Sequence, residues 1–220
     1  MQVEIPRVKI CCISSLGEAR LAVKYNTNAI GLVGRMPSGP GPIEDGLIKK
    51  IAAETPPPIA TFLLTCETAA SNIIDHHLRT FTNTIQLVDA LPEREYITIK
   101  KALPAIKLVQ VIHVRDEGSV EDAIKFSQYV HAILLDSGNP ALAVKELGGT
   151  GRVHDWKLSR KIVEAVKIPV FLAGGLHAGI VGQAIREVQP FGVDVCSGVR
   201  TMGKLDEQKL TAFYEAIKNP

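Results

Sequence analysis

The chain has 220 residues, of which 46% are hydrophobic and 22% are charged, and its formal net charge is +2. This size and composition are typical of a soluble globular protein with one large core. No block of Lys and Arg stands out, and no apolar run reaches the roughly 18 residues of a membrane span. We therefore expect neither a nucleic-acid surface nor a transmembrane helix.

Short β-rich runs recur along the chain, and amphipathic stretches separate them. The predicted strands are Val8–Ile13, Ala29–Val33, Ile59–Leu64, Thr84–Val88, Lys107–His113, Ala132–Leu135, Pro169–Ala173 and Gly192–Cys196. The predicted helices are Glu18–Tyr25, Ile43–Glu54, Glu67–Thr80, Glu93–Leu103, Ser119–Gln128, Lys157–Val166, Ala178–Val188 and Glu207–Ile217.

Strict alternation of strand and helix predicts a parallel sheet with right-handed crossovers. Eight such repeats in 220 residues favour closure into a barrel over an open doubly wound sheet. No linker interrupts the pattern, so we predict an α/β fold in which residues 1–220 form a single-domain (β/α)₈ TIM barrel.

The four cysteines indicate a reducing compartment. Cys11, Cys12, Cys66 and Cys196 lack the spacing of zinc ligands, and the adjacent pair is no Cys-x-x-Cys motif. The N-terminus carries an early acid, Glu4, and no apolar signal core. We expect a cytoplasmic protein with reduced thiols and no metal site.

Glycine clusters in the last third of the chain predict an anion site. Two of them follow predicted strands and precede predicted helices, where glycine lets backbone N–H groups approach an anion closely. In a barrel this is the usual place for a phosphate, so the ligand is expected to be a phosphorylated small molecule. The predicted phosphate-binding residues are Gly149, Gly151, Gly174, Gly175, Ser197 and Gly198.

Two strand ends supply an acid and a base. Lys9 and Cys11 share one face of the first strand, and Asp136 ends the sixth. We expect Cys11 and Asp136 on facing walls of the barrel mouth, as a pair for proton transfer on a sugar phosphate. Lys9, below Cys11, would favour its thiolate form. Cys12 is expected to point outward, toward the helices.

Several motifs, in order from the first strand to the last helix, resemble phosphoribosylanthranilate isomerase. They are Lys9-Ile10-Cys11, Leu134-Leu135-Asp136-Ser137, Gly148-Gly149-Thr150-Gly151, Asp155-Trp156, Ala173-Gly174-Gly175-Leu176 and Val193-Asp194-Val195-Cys196-Ser197-Gly198-Val199. The resemblance implies a ribulose-phosphate-binding barrel of tryptophan biosynthesis that needs no cofactor. It also implies an Amadori rearrangement of an aminoaldose phosphate, an aldose–ketose isomerisation, with Cys11 as the general base and Asp136 as the general acid.

The chain departs from the family where the anthranilate would bind. Cys12 replaces the family's glycine, and residues 36–41 lack the arginine expected to bind the anthranilate carboxylate. Arg35 is the nearest replacement. Val88 stands where the family has histidine, and His113 ends the fifth strand instead. The candidate substrate residues are Lys9, Arg35, Gln86, His113 and Asp194.

Three functions remain open from the sequence. The chain is a divergent isomerase of N-(5'-phosphoribosyl)anthranilate that uses Arg35, an isomerase of another phosphosugar without the anthranilate carboxylate, or a non-catalytic phosphosugar-binding barrel. In each case the partner is a small phosphorylated sugar, in the first two a sugar-amine, and not a nucleic acid or a membrane. The sequence predicts a monomer or a homodimer.

Overall fold

The computed structural model describes residues 5–37, 39–137, 155–218 and 220, in which eight parallel strands close into a barrel surrounded by eight helices. The barrel strands are β1 (Arg7–Ile10), β2 (Ala29–Val33), β3 (Ala60–Thr65), β4 (Thr84–Leu87), β5 (Lys107–His113), β6 (Ala132–Asp136), β7 (Val170–Leu172) and β8 (Gly192–Val195). The helices are α1 (Leu16–Lys24), α2 (Asp45–Glu54), α3 (Ala70–Thr80), α4 (Glu93–Ala102), α5 (Gly118–Ser127), α6 (Trp156–Ala165), α7 (Ala178–Val188) and α8 (Glu207–Lys218). Within these ranges no helix is long and apolar enough to cross a membrane.

The barrel confirms the predicted fold class, and each predicted strand and helix is present. The first strand is shorter than predicted and ends at Ile10 rather than Ile13. Cys12 has a φ of 60°, which takes the chain out of the extended conformation. Pairing with the neighbouring strand still continues at Cys11, whose N–H donates to the carbonyl oxygen of Val195 at 2.8 Å.

Apolar side chains pack in two layers. The outer layer lies between strands and helices, and from β1 it includes Val8 and Ile10. The inner layer fills the barrel with residues from strands and strand ends, among them Phe62, Leu134 and Phe171. Because side chains alternate along a strand, residues next to outer-layer positions face the barrel interior. Charged residues on the inner face therefore lie beneath or within the barrel mouth.

A short hairpin follows the last barrel strand. After a 3₁₀ turn at Ser197–Val199, strands β9 (Arg200–Thr201) and β10 (Lys204–Leu205) pair antiparallel and lead into α8. Both residues of the intervening turn have positive φ, 49° at Met202 and 78° at Gly203. Positive φ at both positions suits a two-residue hairpin turn. The hairpin places Arg200 beside the end of β1.

Candidate active site

A cleft with about 670 Å³ of empty space, part of it open to solvent, lies at the carboxyl ends of the barrel strands. The loops that follow β1, β2, β7 and β8 form its rim. Met36, Gly39 and Pro40 line it, so the loop after β2 lies at this face. Of the predicted site residues the cleft brings together Cys11, Gln86, Asp136, Gly174, Gly175, Asp194 and Ser197.

Cys11 lies on the inner face of the barrel, one residue beyond β1. It is 6% exposed and packs with the inner apolar layer. Gly31 on the neighbouring strand makes room for it, because a Cβ atom at position 31 would lie 2.7 Å from Cys11 Sγ and 3.1 Å from Lys9 Nζ. The same small residue thus accommodates both the thiol and the lysine side chain below it.

Asp136 is the last residue of β6 and also faces inward. Its neighbours Ile133 and Leu135 belong to the outer layer, whereas Leu134 belongs to the inner one. The carboxylate oxygen Oδ1 accepts a hydrogen bond from the backbone N–H of Ser137 at 2.7 Å. Strands β7 and β8 separate Asp136 from Cys11 on the barrel wall. A carboxyl group and a thiol therefore line the same cleft from different strands.

Lys9 and Asp194 form an ion pair beneath the cleft. They stand in register on β1 and β8, and Lys9 Nζ lies 2.8 Å from Asp194 Oδ1. Lys9 is fully buried. Burial opposes its charged form, but the Asp194 carboxylate outweighs burial and raises the pKa of Lys9 above its ordinary value. Lys9 therefore stays an ammonium group, and its Nζ lies near the Cys11 sulfur on the inner face of the barrel.

The turns after β7 and β8 touch each other at the rim. Gly174 and Gly175 have φ values of 82° and 66°. A Cβ atom at Gly198 would lie only 2.0 Å from the carbonyl oxygen of Leu176. These glycines thus permit a close approach of two backbones next to Ser197. Gly149 and Gly151, the other predicted phosphate ligands, lie outside the described residues.

Cys12 does not face the helices, and the expectation that it would is wrong. Its side chain lines the cleft and packs with the inner layer. A Cβ atom at Gly41 would lie 2.7 Å from Cys12 Cβ, so the loop after β2 passes directly over this residue. The positive φ of Cys12 breaks the alternation of side-chain directions that holds within a strand.

Arg200 is a site residue that sequence reasoning missed. Its Nη2 donates to the carbonyl oxygens of Cys12 and, at 3.2 Å, of Cys11. Its Nη1 lies 2.9 Å from Glu18 Oε1 in an ion pair of low exposure. Burial opposes ionisation of Glu18, but hydrogen bonds from Arg200, Leu205 and Ser14 lower its pKa overall. Arg200 thereby fixes the backbone that carries the Cys11 thiol.

Arg35 and His113 lie around the cleft rather than on its wall, whereas Gln86 lines it. Arg35 is exposed, and its carbonyl oxygen accepts from Cys66 Sγ at 3.4 Å. His113 packs beside β4 with Nε2 3.3 Å from the carbonyl oxygen of Val88, and burial lowers the pKa of His113. Gln86 is buried within the cleft, and its Oε1 has no hydrogen-bond partner in the described part of the chain.

No group of three or more His, Cys, Asp and Glu side chains that could hold a metal occurs among the described residues. The polar and reactive side chains that line the cleft are three thiols, two carboxyl groups, an amide and a hydroxyl group, from Cys11, Cys12, Cys196, Asp136, Asp194, Gln86 and Ser197. A thiol and a carboxyl group in one cleft suit proton transfer on a small molecule.

The family model and the relatives that match this chain belong to one family. Residues 65–216 match the family model described as N-(5'phosphoribosyl)anthranilate (PRA) isomerase. The chain is 38% identical to N-(5'-phosphoribosyl)anthranilate isomerase 2 of Methanosarcina mazei over 97% of this chain and 94% of that protein. It is 32% identical to the enzyme of Methanocella arvoryzae, over 96% and 98% of the two chains.

Solved structures give the same result. Phosphoribosyl anthranilate isomerase from Thermotoga maritima superposes with a TM-score of 0.83 at 29% identity and covers 98% of this chain and 100% of its own. A phosphoribosyl anthranilate isomerase in complex with reduced 1-(o-carboxyphenylamino)-1-deoxyribulose 5-phosphate gives a TM-score of 0.81 at 27% identity, with coverage of 98% and 100%. The chain therefore belongs to the phosphoribosylanthranilate isomerase family.

Proposed function

We propose that this protein is an aldose–ketose isomerase that carries out the Amadori rearrangement of N-(5'-phosphoribosyl)anthranilate in tryptophan biosynthesis. The observation that carries the proposal is that Cys11 and Asp136 line one cleft of the barrel. The similarity to an enzyme of this family extends over nearly the whole chain. Both side chains face inward from strand ends, where barrel enzymes hold their catalytic groups.

Asp136 is assigned the role of general acid. Its protonated carboxyl group would donate a proton to the furanose ring oxygen, which breaks the C1′–O bond and opens the sugar to a Schiff base. The hydrogen bond from the Ser137 N–H to Oδ1 orients the carboxyl group at the end of β6. General acid catalysis of this kind contributes roughly 10²–10⁴-fold.

Cys11 is assigned the role of general base. Its thiolate would remove the proton from C2′, and the electron pair of that bond would neutralise the Schiff base and give an enolamine. The enolamine then tautomerises to the ketone. The ion pair with Asp194 holds the Lys9 ammonium group below the Cys11 sulfur, on the same inner face of the barrel.

We assign the phosphate to the glycine turns at the rim of the cleft and the sugar to its deeper part. Gly174, Gly175, Ser197 and Gly198 would present backbone N–H groups to the phosphate. The positive φ values at Gly174 and Gly175 favour glycine, and at Gly198 there is no room for a side chain. The buried Oε1 of Gln86 is suited to accept a hydrogen bond from a sugar hydroxyl group.

One observation favours the second candidate, an isomerase of another phosphosugar amine. No Lys or Arg lines the cleft among the described residues, and Arg35 is exposed beside it. An aryl carboxylate bound without a cation loses a charge-assisted hydrogen bond. On the proposed function, Arg35 would have to turn toward the cleft when the anthranilate binds.

We propose further that residues 1–220 act as one barrel domain, without cofactor, in the cytoplasm, as a monomer or a homodimer. The four cysteines within the described residues are free thiols, which suits a reducing compartment. A structural neighbour from Thermotoga maritima is described as a dimeric phosphoribosylanthranilate isomerase from which monomers were generated.

The purified protein should be assayed with N-(5'-phosphoribosyl)anthranilate and, in parallel, with the matched aniline compound that lacks the carboxylate. We expect turnover of the first with the higher kcat/KM, and a loss of that preference in Arg35→Ala. Equal or better turnover of the aniline compound would favour the second candidate. Binding of either compound without turnover would favour a non-catalytic barrel.

A further inference from the structure

The thiols of Cys12 and Cys196 meet at the rim of the cleft. Their sulfur atoms lie 2.8 Å apart and share a hydrogen bond, although 184 positions separate them in the chain. Both residues line the cleft, Cys12 buried and Cys196 partly exposed, and both are free thiols. The proposed isomerase mechanism uses neither of them. A small reagent that enters the cleft would therefore reach both sulfur atoms.

The surroundings of the two thiols shift their pKa values in opposite directions. The hydrogen bond between the two thiols lowers the pKa of Cys196 against the effect of burial, and the Arg200 guanidinium lowers it further. Hydrogen bonds with Cys11 and Cys196, together with burial, raise the pKa of Cys12. Cys196 therefore ionises first while Cys12 keeps its proton. A thiolate beside a protonated partner is the arrangement of redox-sensitive cysteine pairs.

We propose that Cys12 and Cys196 form a site of reversible oxidation, at which a peroxide converts the two thiols into a disulfide across the mouth of the cleft. Contact between the sulfur atoms, access from the cleft and the neighbouring Arg200 guanidinium carry this assignment. The oxidant belongs to the class of hydroperoxides, with hydrogen peroxide as the smallest member.

The reaction takes two steps. The Cys196 thiolate attacks one oxygen of hydrogen peroxide, so that an S–O bond forms, the O–O bond breaks and hydroxide leaves. Cys12 sulfur then attacks the sulfenic acid at Cys196, so that the S–S bond forms and the S–O bond breaks. The thiol proton of Cys12 and one proton from solvent convert the two hydroxide groups into water. Two electrons pass from the thiols to the peroxide.

The disulfide would act on the isomerase site from both sides. Cys12 directly follows Cys11, and Cys196 directly precedes Ser197. A covalent bond requires the sulfur atoms to approach from 2.8 Å to about 2.05 Å. The approach draws the loop that carries the base toward the turn assigned to phosphate. This expected effect rests on the proposed function. The value of kcat/KM should fall about tenfold or more, since displacements of this order disturb catalytic geometry.

The chemical test uses the full chain and needs no substrate. Reduced protein is treated with hydrogen peroxide, its remaining thiols are alkylated, and the digest is analysed by mass spectrometry. We expect a linked peptide that joins Cys12 to Cys196 and a protein lighter by two hydrogen atoms. Cys66→Ser should retain the link, whereas Cys12→Ser and Cys196→Ser should lose it. Absence of the linked peptide in the wild type would overturn the proposal.

The kinetic test compares oxidised with reduced activity for each variant, so that each variant serves as its own reference. Wild type and Cys66→Ser should lose activity on oxidation and recover it with dithiothreitol. In Cys12→Ser and Cys196→Ser the ratio of oxidised to reduced activity should stay near one. Equal loss in all four proteins would show that Cys11 is the oxidised group and would overturn the proposed effect. A reduced protein without isomerase activity would contradict the proposed function, and the peptide mapping would still decide on the disulfide.

Discussion

Lys9 and Asp194 face each other in register on neighbouring strands and form an ion pair of 2.8 Å beneath the cleft. Fully buried charges are costly unless they are paired, so each side chain depends on the other. Lys9→Met should lower the free energy of unfolding by about 3–5 kcal/mol, because it leaves the Asp194 carboxylate buried without its cation. The measurement is urea denaturation followed by circular dichroism.

The double variant Lys9→Met with Asp194→Leu is the matched control, because it removes both charges and keeps apolar volume. It should be more stable than Lys9→Met alone. A double variant that loses as much stability as the sum of the two single variants would show that the ion pair makes no pairwise contribution.

The same ion pair makes stability depend on alkaline pH. Because the pKa of Lys9 is raised above its ordinary value of 10.5, the stabilisation is complete below about that pH and is lost as the pH rises through the higher, folded-state pKa. Wild type should therefore lose more unfolding free energy above pH 10.5 than the double variant. Parallel stability curves for the two proteins would contradict the assigned pairing.

Arg200 is expected to position the catalytic thiol through its hydrogen bonds to the backbone at Cys11 and Cys12. Arg200→Ala should lower kcat by about tenfold or more, with a smaller change in KM, since the loop that carries the base loses its restraint. Arg200→Lys should recover part of the loss.

Arg20→Ala is the control for Arg200, because Arg20 forms an exposed ion pair with Glu54 at 3.1 Å on the outside of the barrel. Exposed pairs of this kind contribute little to stability, so this variant should match the wild type. If Arg200→Ala and Arg20→Ala gave the same kinetic constants, the positioning role would be refuted.

Gly198 is expected to tolerate no side chain, because a Cβ atom there would lie 2.0 Å from the carbonyl oxygen of Leu176. Gly198→Ala should push the two rim turns apart and raise KM, together with the Kd for inorganic phosphate, by tenfold or more, which is about 1.4 kcal/mol. Gly46→Ala is the matched control, since nothing lies within 4 Å of that position in α2. It should leave phosphate binding unchanged and gain up to about 1 kcal/mol of helix stability. Isothermal titration with phosphate distinguishes the two variants.

The sequence predicted the parts of the site that follow from periodicity. Cys11 and Asp136 face inward because side chains alternate along β1 and β6, and the barrel follows from the repeated strand and helix pattern. The direction of the Cys12 side chain was not predicted correctly, because a residue other than glycine rarely adopts a positive φ and nothing in the residue type indicates that it does so here.

The role of Arg200 was not predicted from the sequence for a different reason. Its role depends on a two-residue hairpin turn at Met202-Gly203, which lacks the usual Asn-Gly signal, and on contacts with residues more than 180 positions away. The position of Arg35, exposed and outside the cleft lining, is likewise a property of a loop, in which no hydrophobic period specifies side-chain direction.

The central claim is that Cys11 and Asp136 act as base and acid across one cleft, and steady-state kinetics of Cys11→Ala and Asp136→Asn with N-(5'-phosphoribosyl)anthranilate test it most directly. Each variant should lose roughly 10²–10⁴-fold in kcat while its Kd for inorganic phosphate stays at the wild-type value. Cys66→Ala, outside the cleft, should keep wild-type kcat. Turnover at the wild-type rate in either Cys11→Ala or Asp136→Asn would contradict the account.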